Sequence, residues 1–158
     1  MKILLATDGS PHNKAVVDKV AVRLFPPNAK LRIISVYERT ARTMTLDTMG
    51  VSKEYYAEAD RNALKAAENT IENAEKVLRK KNPMLTITTT VIEGSPKNVI
   101  LEEAETFGAD LIIVGSHGYG VVERFLLGSV SQAVALHAKC SVEIVRIPNI
   151  QPRKIKKK

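Results

Sequence analysis

The chain has 158 residues, 44% hydrophobic and 26% charged, with one cysteine, Cys140. These values fit one globular domain of ordinary size and exclude an intrachain disulfide framework. The formal charge is +7, but Arg153, Lys154, Lys156, Lys157 and Lys158 carry five of those charges. The rest of the chain holds 19 basic against 17 acidic residues, too balanced to suggest a nucleic-acid-binding face on the domain itself.

Lys2–Ala6 is a short, continuous apolar run that ends at Asp8-Gly9-Ser10-Pro11, as in a strand buried on both faces. It is too short for a secretory signal or for a membrane span of about 20 residues, so a cytoplasmic protein is expected. Ser10 as N-cap and Pro11 in the first turn predict a helix start. Ala15, Val16, Val20, Ala21 and Leu24 follow at helical spacing until Pro26-Pro27. Lys30–Val36 is a second strand. Residues 38–52 are polar and uneven, and read as a long loop in which Met44 and Met49 could cover a ligand or partner.

Tyr56, Ala63, Ala67, Ile71, Ala74 and Leu78 form a stripe near period 3.6, which predicts one long helix over Lys53–Lys81, ended by Asn82-Pro83. Leu85–Ile92 is Thr-rich and β-branched, hence a third strand. Ser95-Pro96 starts another helix, lined by Val99, Ile100, Ala104 and Phe107 and capped by Gly108. Leu111–Val114 is a fourth strand, Gly115–Gly128 a glycine-spaced loop, Ser129–Ala138 a helix and Val142–Ile147 a fifth strand. Residues 1–148 therefore form the domain, and residues 149–158 a solvated basic tail.

Strict alternation of strands and helices predicts an α/β fold. It should be a single open five-stranded parallel sheet with helices on both faces and right-handed crossovers. Ligands of such sheets bind beyond the carboxyl ends of the strands, where strand order reverses. The Gly115–Gly128 loop lies at such an end and leads into a helix. Its glycines permit close backbone approach, and a helix N-terminus offers unpaired N–H groups and a favourable dipole to an anion. Ser129 and Ser131 add hydroxyls there. The segment lacks the Gly-Lys-Ser/Thr of a Walker A loop, and no dinucleotide fingerprint follows the first strand.

Gly115, two residues, Gly118, nine residues, then Gly128-Ser129 resembles the ATP-binding signature of universal stress proteins. Ile3-Leu-Leu-Ala-Thr-Asp-Gly-Ser10 and His137-Ala-Lys-Cys-Ser-Val-Glu-Ile-Val-Arg146 resemble that family's opening and closing segments. The resemblance spans about residues 1–147. It implies a Rossmann-like fold of the adenine nucleotide hydrolase type, with strand order 3-2-1-4-5. It further implies that Ala6, Thr7 and Asp8 line the adenosine end, and that Val36 meets adenine through its backbone. Gly115, Ser116 and Gly118 would face the ribose and α-phosphate. Gly128, Ser129, Val130 and Ser131 would hold the β- and γ-phosphates of ATP, with Mg²⁺ or Mn²⁺ carried on the phosphates. A homodimer through the last strand, Val142–Ile147, is also implied. Ser141 departs from the family's usual proline, and the basic tail lies outside its pattern.

A nucleotide-responsive regulatory module in stress response is thus expected, signalling to an unidentified protein partner. The alternatives are a slow ATPase or a sensor of AMP or cyclic AMP. No residue is assigned a catalytic role, because no general base or arginine finger is evident. His12, His117 and His137 lie on separate elements and predict no metal site. Cys140 reads as a small buried or strand-edge residue, and Arg124 as a loop residue that either steers phosphate or belongs to a solvated face. Neither nucleic-acid binding nor a membrane span is expected.

Overall fold

The computed structural model describes residues 1–39, 53–118 and 127–146. Residues 40–52 of the predicted loop, with Met44 and Met49, lie outside these residues, as do Arg124, the basic tail and Ile147. Among the described residues nine elements alternate: β1 (Lys2–Ala6), α1 (Pro11–Ala21), β2 (Lys30–Tyr37), α2 (Lys53–Lys81), β3 (Thr86–Glu93), α3 (Pro96–Phe107), β4 (Leu111–Gly115), α4 (Ser129–His137) and β5 (Ser141–Val145). They match the expected series, with Lys2–Ala6 and Lys53–Lys81 as expected and other ends shifted by at most three residues.

The five strands form one parallel sheet in the order β3-β2-β1-β4-β5. Two-residue periodicity splits the core into two layers. Ile3 and Leu5 of β1, Leu31 and Ile33 of β2, and Ile113 of β4 pack with Val16, Val20, Ala74 and Leu78 of α1 and α2. Leu4, Ala6, Ile34, Ile112 and Val114 face the other way, against Ile100 and Ala104 of α3 and Val134 of α4. Both faces of the central strands are therefore dry, which is why these strands read as unbroken apolar runs. Truncating a residue such as Ile113 to alanine would cost roughly 2–5 kcal/mol.

Local signals hold at the helix ends. The Ser10 side chain accepts from Asn13 N, with Pro11 in the first turn of α1. Gly108 closes α3 in the left-handed region at φ 64. One boundary departs from the expected pattern. α1 stops at Ala21, although apolar spacing continued to Leu24, because Asn82 Nδ2 donates to the Ala21 carbonyl at 2.7 Å and caps the helix from the end of α2.

The sheet runs outward from β1 through β2 to β3 on one side, and through β4 to β5 on the other. The chain reverses between β1 and β4, so a crevice opens at their carboxyl ends.

Candidate functional site

The turn after β1 is built by side chains. Asp8 Oδ1 accepts from Ser10 N at 2.9 Å and from Asn13 Nδ2 at 2.6 Å. Ser10 Oγ accepts from Asn13 N at 3.2 Å. Ser10 and Asn13 are buried. Gly9 sits at φ +77, where a side chain would be strained, and a Cβ there would collide with Thr70 Oγ1 on α2. The turn is thus clamped between α1 and α2, with the other oxygen of Asp8 turned towards the β4 loop.

The turn after β4 is built by backbone. Ser116 N donates to the Val145 carbonyl at 3.0 Å, and Gly128 N donates to the Ser116 carbonyl at 2.8 Å. Ser131 Oγ lies 3.2 Å from the Ser116 carbonyl and 3.0 Å from that of Gly128, and its single proton serves one of them at a time. The two ends of the loop are thereby tied together independently of residues 119–126. A Cβ on Gly118 would collide with Asp8 Oδ2, so a side chain there would force the Asp8 carboxylate or the loop to shift. Gly128 is the N-cap of α4, in extended conformation and with no side-chain cap. The amides of Ser129, Val130 and Ser131 are therefore the orphan donors of the first turn, at the positive end of the helix dipole.

These two turns border a cavity of about 450 Å³. Ten of the eleven residues selected from sequence line it: Ala6, Thr7, Asp8, Val36, Gly115, Gly118, Gly128, Ser129, Val130 and Ser131. Ser116 sits behind the wall, 4% exposed, where its carbonyl ties the loop shut. Ser131 lines the cavity, but its hydroxyl is directed at protein carbonyls rather than offered outward.

The wall also contains Asn13, Ile34, Glu38, Pro96, Ile100, Val114 and His117, which the sequence reading did not select. Ile34, Ile100 and Val114 read as core, since an apolar residue at a strand end looks the same whether it faces a helix or a ligand. Pro96 read as a helix starter. Asn13 carried one usable signal, a polar residue beside Val16 and Val17 on the inward face of α1. A larger groove of about 520 Å³ lies between α1 and α2, lined by Lys14, Asp18, Asn69 and Asn73 among others. No uncapped helix N-terminus opens into it, so the smaller crevice is the better candidate.

Electrostatics narrow what the crevice can hold. Among its described lining residues Asp8 and Glu38 are acidic, and none is Lys or Arg. An anion must therefore be held by α4 amides, and a polyanion would need a counter-cation. His117 Nδ1 lies 3.0 Å from Ser116 Oγ, and its ring centroid is 6.2 Å from that of His12. The fold thus brings together two of the three histidines that sequence had scattered. No group of three or more His, Cys, Asp or Glu able to hold a metal occurs among the described residues. Half-buried Cys140 is no activated nucleophile, because burial and the nearby Asp110 carboxylate push its thiol pKa up.

Fold and site together define an open parallel α/β domain with a crevice at its switch point, bordered by the uncapped N-terminus of α4. The chain belongs to the universal stress protein family, whose model matches residues 1–146. It is 31% identical over 149 residues to a universal stress protein of Staphylococcus haemolyticus, covering 94% of this chain and 86% of that one. The solved structure of the hypothetical protein MJ0577 superposes with a TM-score of 0.79 at 26% identity, over 94% of this chain and 96% of that one. A universal stress protein solved in complex with cAMP superposes with a TM-score of 0.64 at 25% identity, over 92% of this chain and 96% of that one. No helix among the described residues is long and apolar enough to cross a membrane.

Proposed function

We propose that this protein is an adenine-nucleotide-binding regulatory module whose ligand is ATP. One observation carries the reading: the uncapped N-terminus of α4 and the Asp8 carboxylate face the same crevice. Such a crevice has an anion-accepting end and a hydrogen-bond-accepting end, as a nucleotide requires. Phosphates lie beside Gly128 on the amides of Ser129, Val130 and Ser131, since the Gly128 N–H already meets the Ser116 carbonyl. The α-phosphate and ribose pass Gly115 and Gly118. The nucleoside lies against Ala6, Thr7, Asp8 and Val36. Asp8 belongs to the nucleoside end, because a carboxylate repels phosphate. Ser116 contributes by holding the wall. The cAMP complex of a related protein supports an adenine nucleotide as the class of ligand.

The crevice offers no cationic side chain among its described residues, so Mg²⁺ or Mn²⁺ accompanies the triphosphate and keeps most of its water. This chain's part is binding and orienting, and any hydrolysis is slow. Nucleotide occupancy orders the loop after β4, which signals to a partner protein or through a homodimer built on β5. Residues Val142 and Ile144 of that edge strand are half-buried, and such an edge calls for covering.

Isothermal titration of nucleotide-stripped protein tests the reading. Saturable binding of ATP with Mg²⁺, tighter than AMP or cyclic AMP, is the expected result. Tighter binding of AMP or cyclic AMP would replace ATP as the ligand, and no binding of any of them would overturn the proposal. Light scattering of the full chain tests the dimer: a mass of two chains is expected, and a mass of one chain would overturn it.

A further inference from the structure

The amino end of the sheet, opposite the crevice, carries a second surface feature. Residues 22–29, between α1 and β2, and residues 82–85, between α2 and β3, lie side by side around a shallow cavity of about 330 Å³. Asn82 ties them together through the Ala21 carbonyl, and each loop closes on itself, Ala29 N to Pro26 O and Leu85 N to Asn82 O, both at 3.1 Å. Phe25 packs against the core, and Ala29 and Leu85 are buried. Their neighbours point the other way: Leu24 is 100% exposed, Met84 95% and Val22 71%. The two loops are braced by their inward residues, so the outward ones are held in water by the fold.

The charges within the two segments have one sign, although two of them are met by carboxylates from outside the segments. Residues 22–30 and 79–86 contain Arg23, Lys30, Arg79, Lys80 and Lys81, and no Asp or Glu. Arg23 pairs with Glu143 and Arg79 with Glu75. Lys30, Lys80 and Lys81 are exposed and form no ion pair among the described residues.

Exposed apolar tips flanked by lysines match one partner chemistry, the surface of an anionic phospholipid bilayer. Lipid phosphates meet the lysines while Leu24, Met84 and Val22 enter the boundary between headgroups and acyl chains. A nucleic acid would reward the lysines and leave Leu24 and Met84 in water. We propose that this end of the sheet docks peripherally on anionic membranes. The crevice, at the opposite end of the strands, stays open to solvent in the docked state.

Co-sedimentation of the full chain with vesicles tests this at low salt. Binding to equal parts of phosphatidylcholine and phosphatidylglycerol is expected, with none to phosphatidylcholine alone. Leu24→Ser, Met84→Ser should lower the vesicle affinity about tenfold. Lys80→Glu, Lys81→Glu should lower it by about tenfold or more. Leu24 and Met84 are exposed, so their change should leave the thermal midpoint unchanged, whereas Lys80 and Lys81 lie in the last turn of α2 and their reversal should lower it slightly. Absence of binding by the parent would overturn the proposal. So would equal binding by the Leu24, Met84 variant, which would assign the attraction to the basic segment 153–158. A parent dimer dissolved by the Leu24, Met84 changes would likewise replace the membrane with a second copy of this chain. Duplex DNA binding that outcompetes the vesicles and ignores Leu24 would replace it with nucleic acid.

Discussion

The turns after β1 and β4 leave neighbouring strands at the same end of the sheet, yet they are built on opposite terms. The first spends its polar side chains on itself: Asp8 holds Ser10 and Asn13, and Ser10 caps α1. The second is held by main-chain carbonyls and one hydroxyl, and its helix begins at a glycine that caps nothing. A turn that satisfies its own donors is rigid but has little left to offer an anion. A turn that leaves helix amides unpaired can offer them to a ligand. In the proposed site one turn supplies a fixed wall and the other supplies donors, and Gly118 lets them approach.

The largest test removes that approach. Gly118→Val would push the loop off Asp8, and nucleotide affinity should fall by about 100-fold or more while circular dichroism reports an intact fold. Next comes the counter-cation. With no Lys or Arg among the described lining residues, chelation of Mg²⁺ should weaken ATP binding about tenfold or more, and AMP binding much less.

Two changes probe the first turn as a structural clamp. Gly9→Ala places a Cβ at positive φ against Thr70 and should cost about 2 kcal/mol in denaturant unfolding. Ser10→Ala removes the cap of α1 and should cost about 1 kcal/mol. Ser131→Ala, its counterpart in the second turn, should cost only about 0.5 kcal/mol, because Gly128 N still reaches the Ser116 carbonyl. Its larger consequence should appear in nucleotide affinity, through loosening of the α4 N-terminus. Equal stability losses for Ser10 and Ser131 would break the contrast between the two turns.

Much of this was legible in residue order. The Ser10-Pro11 start, the Gly108 stop, the stripe from Tyr56 to Leu78 and the unbroken apolar run of Leu111–Val114 each act through near neighbours, so a linear reading captures them. The resemblance to the universal stress protein family, carried by Gly115, Gly118, Gly128-Ser129 and the opening strand, pointed to ten of the lining residues. What it missed depended on distant partners. Ala21 ends α1 because of Asn82, which lies 61 residues away. Ser116 faces the loop's own interior because Gly128 and Ser131 return to its carbonyl.

The sequence alone determined the alternation of elements, the parallel sheet and the place of the glycine loop, since these follow from periodicity and caps over a few residues. Only the tertiary structure decided which of Ile34, Ile100 and Val114 face a ligand and that His12 meets His117. The structure also decided that Leu24 and Met84 project into water while Phe25 and Leu85 turn inward. The physical reason is the same in each case. Hydrophobicity sets whether a side chain avoids water, but the packing of elements far apart in sequence sets which surface, core or cavity it meets.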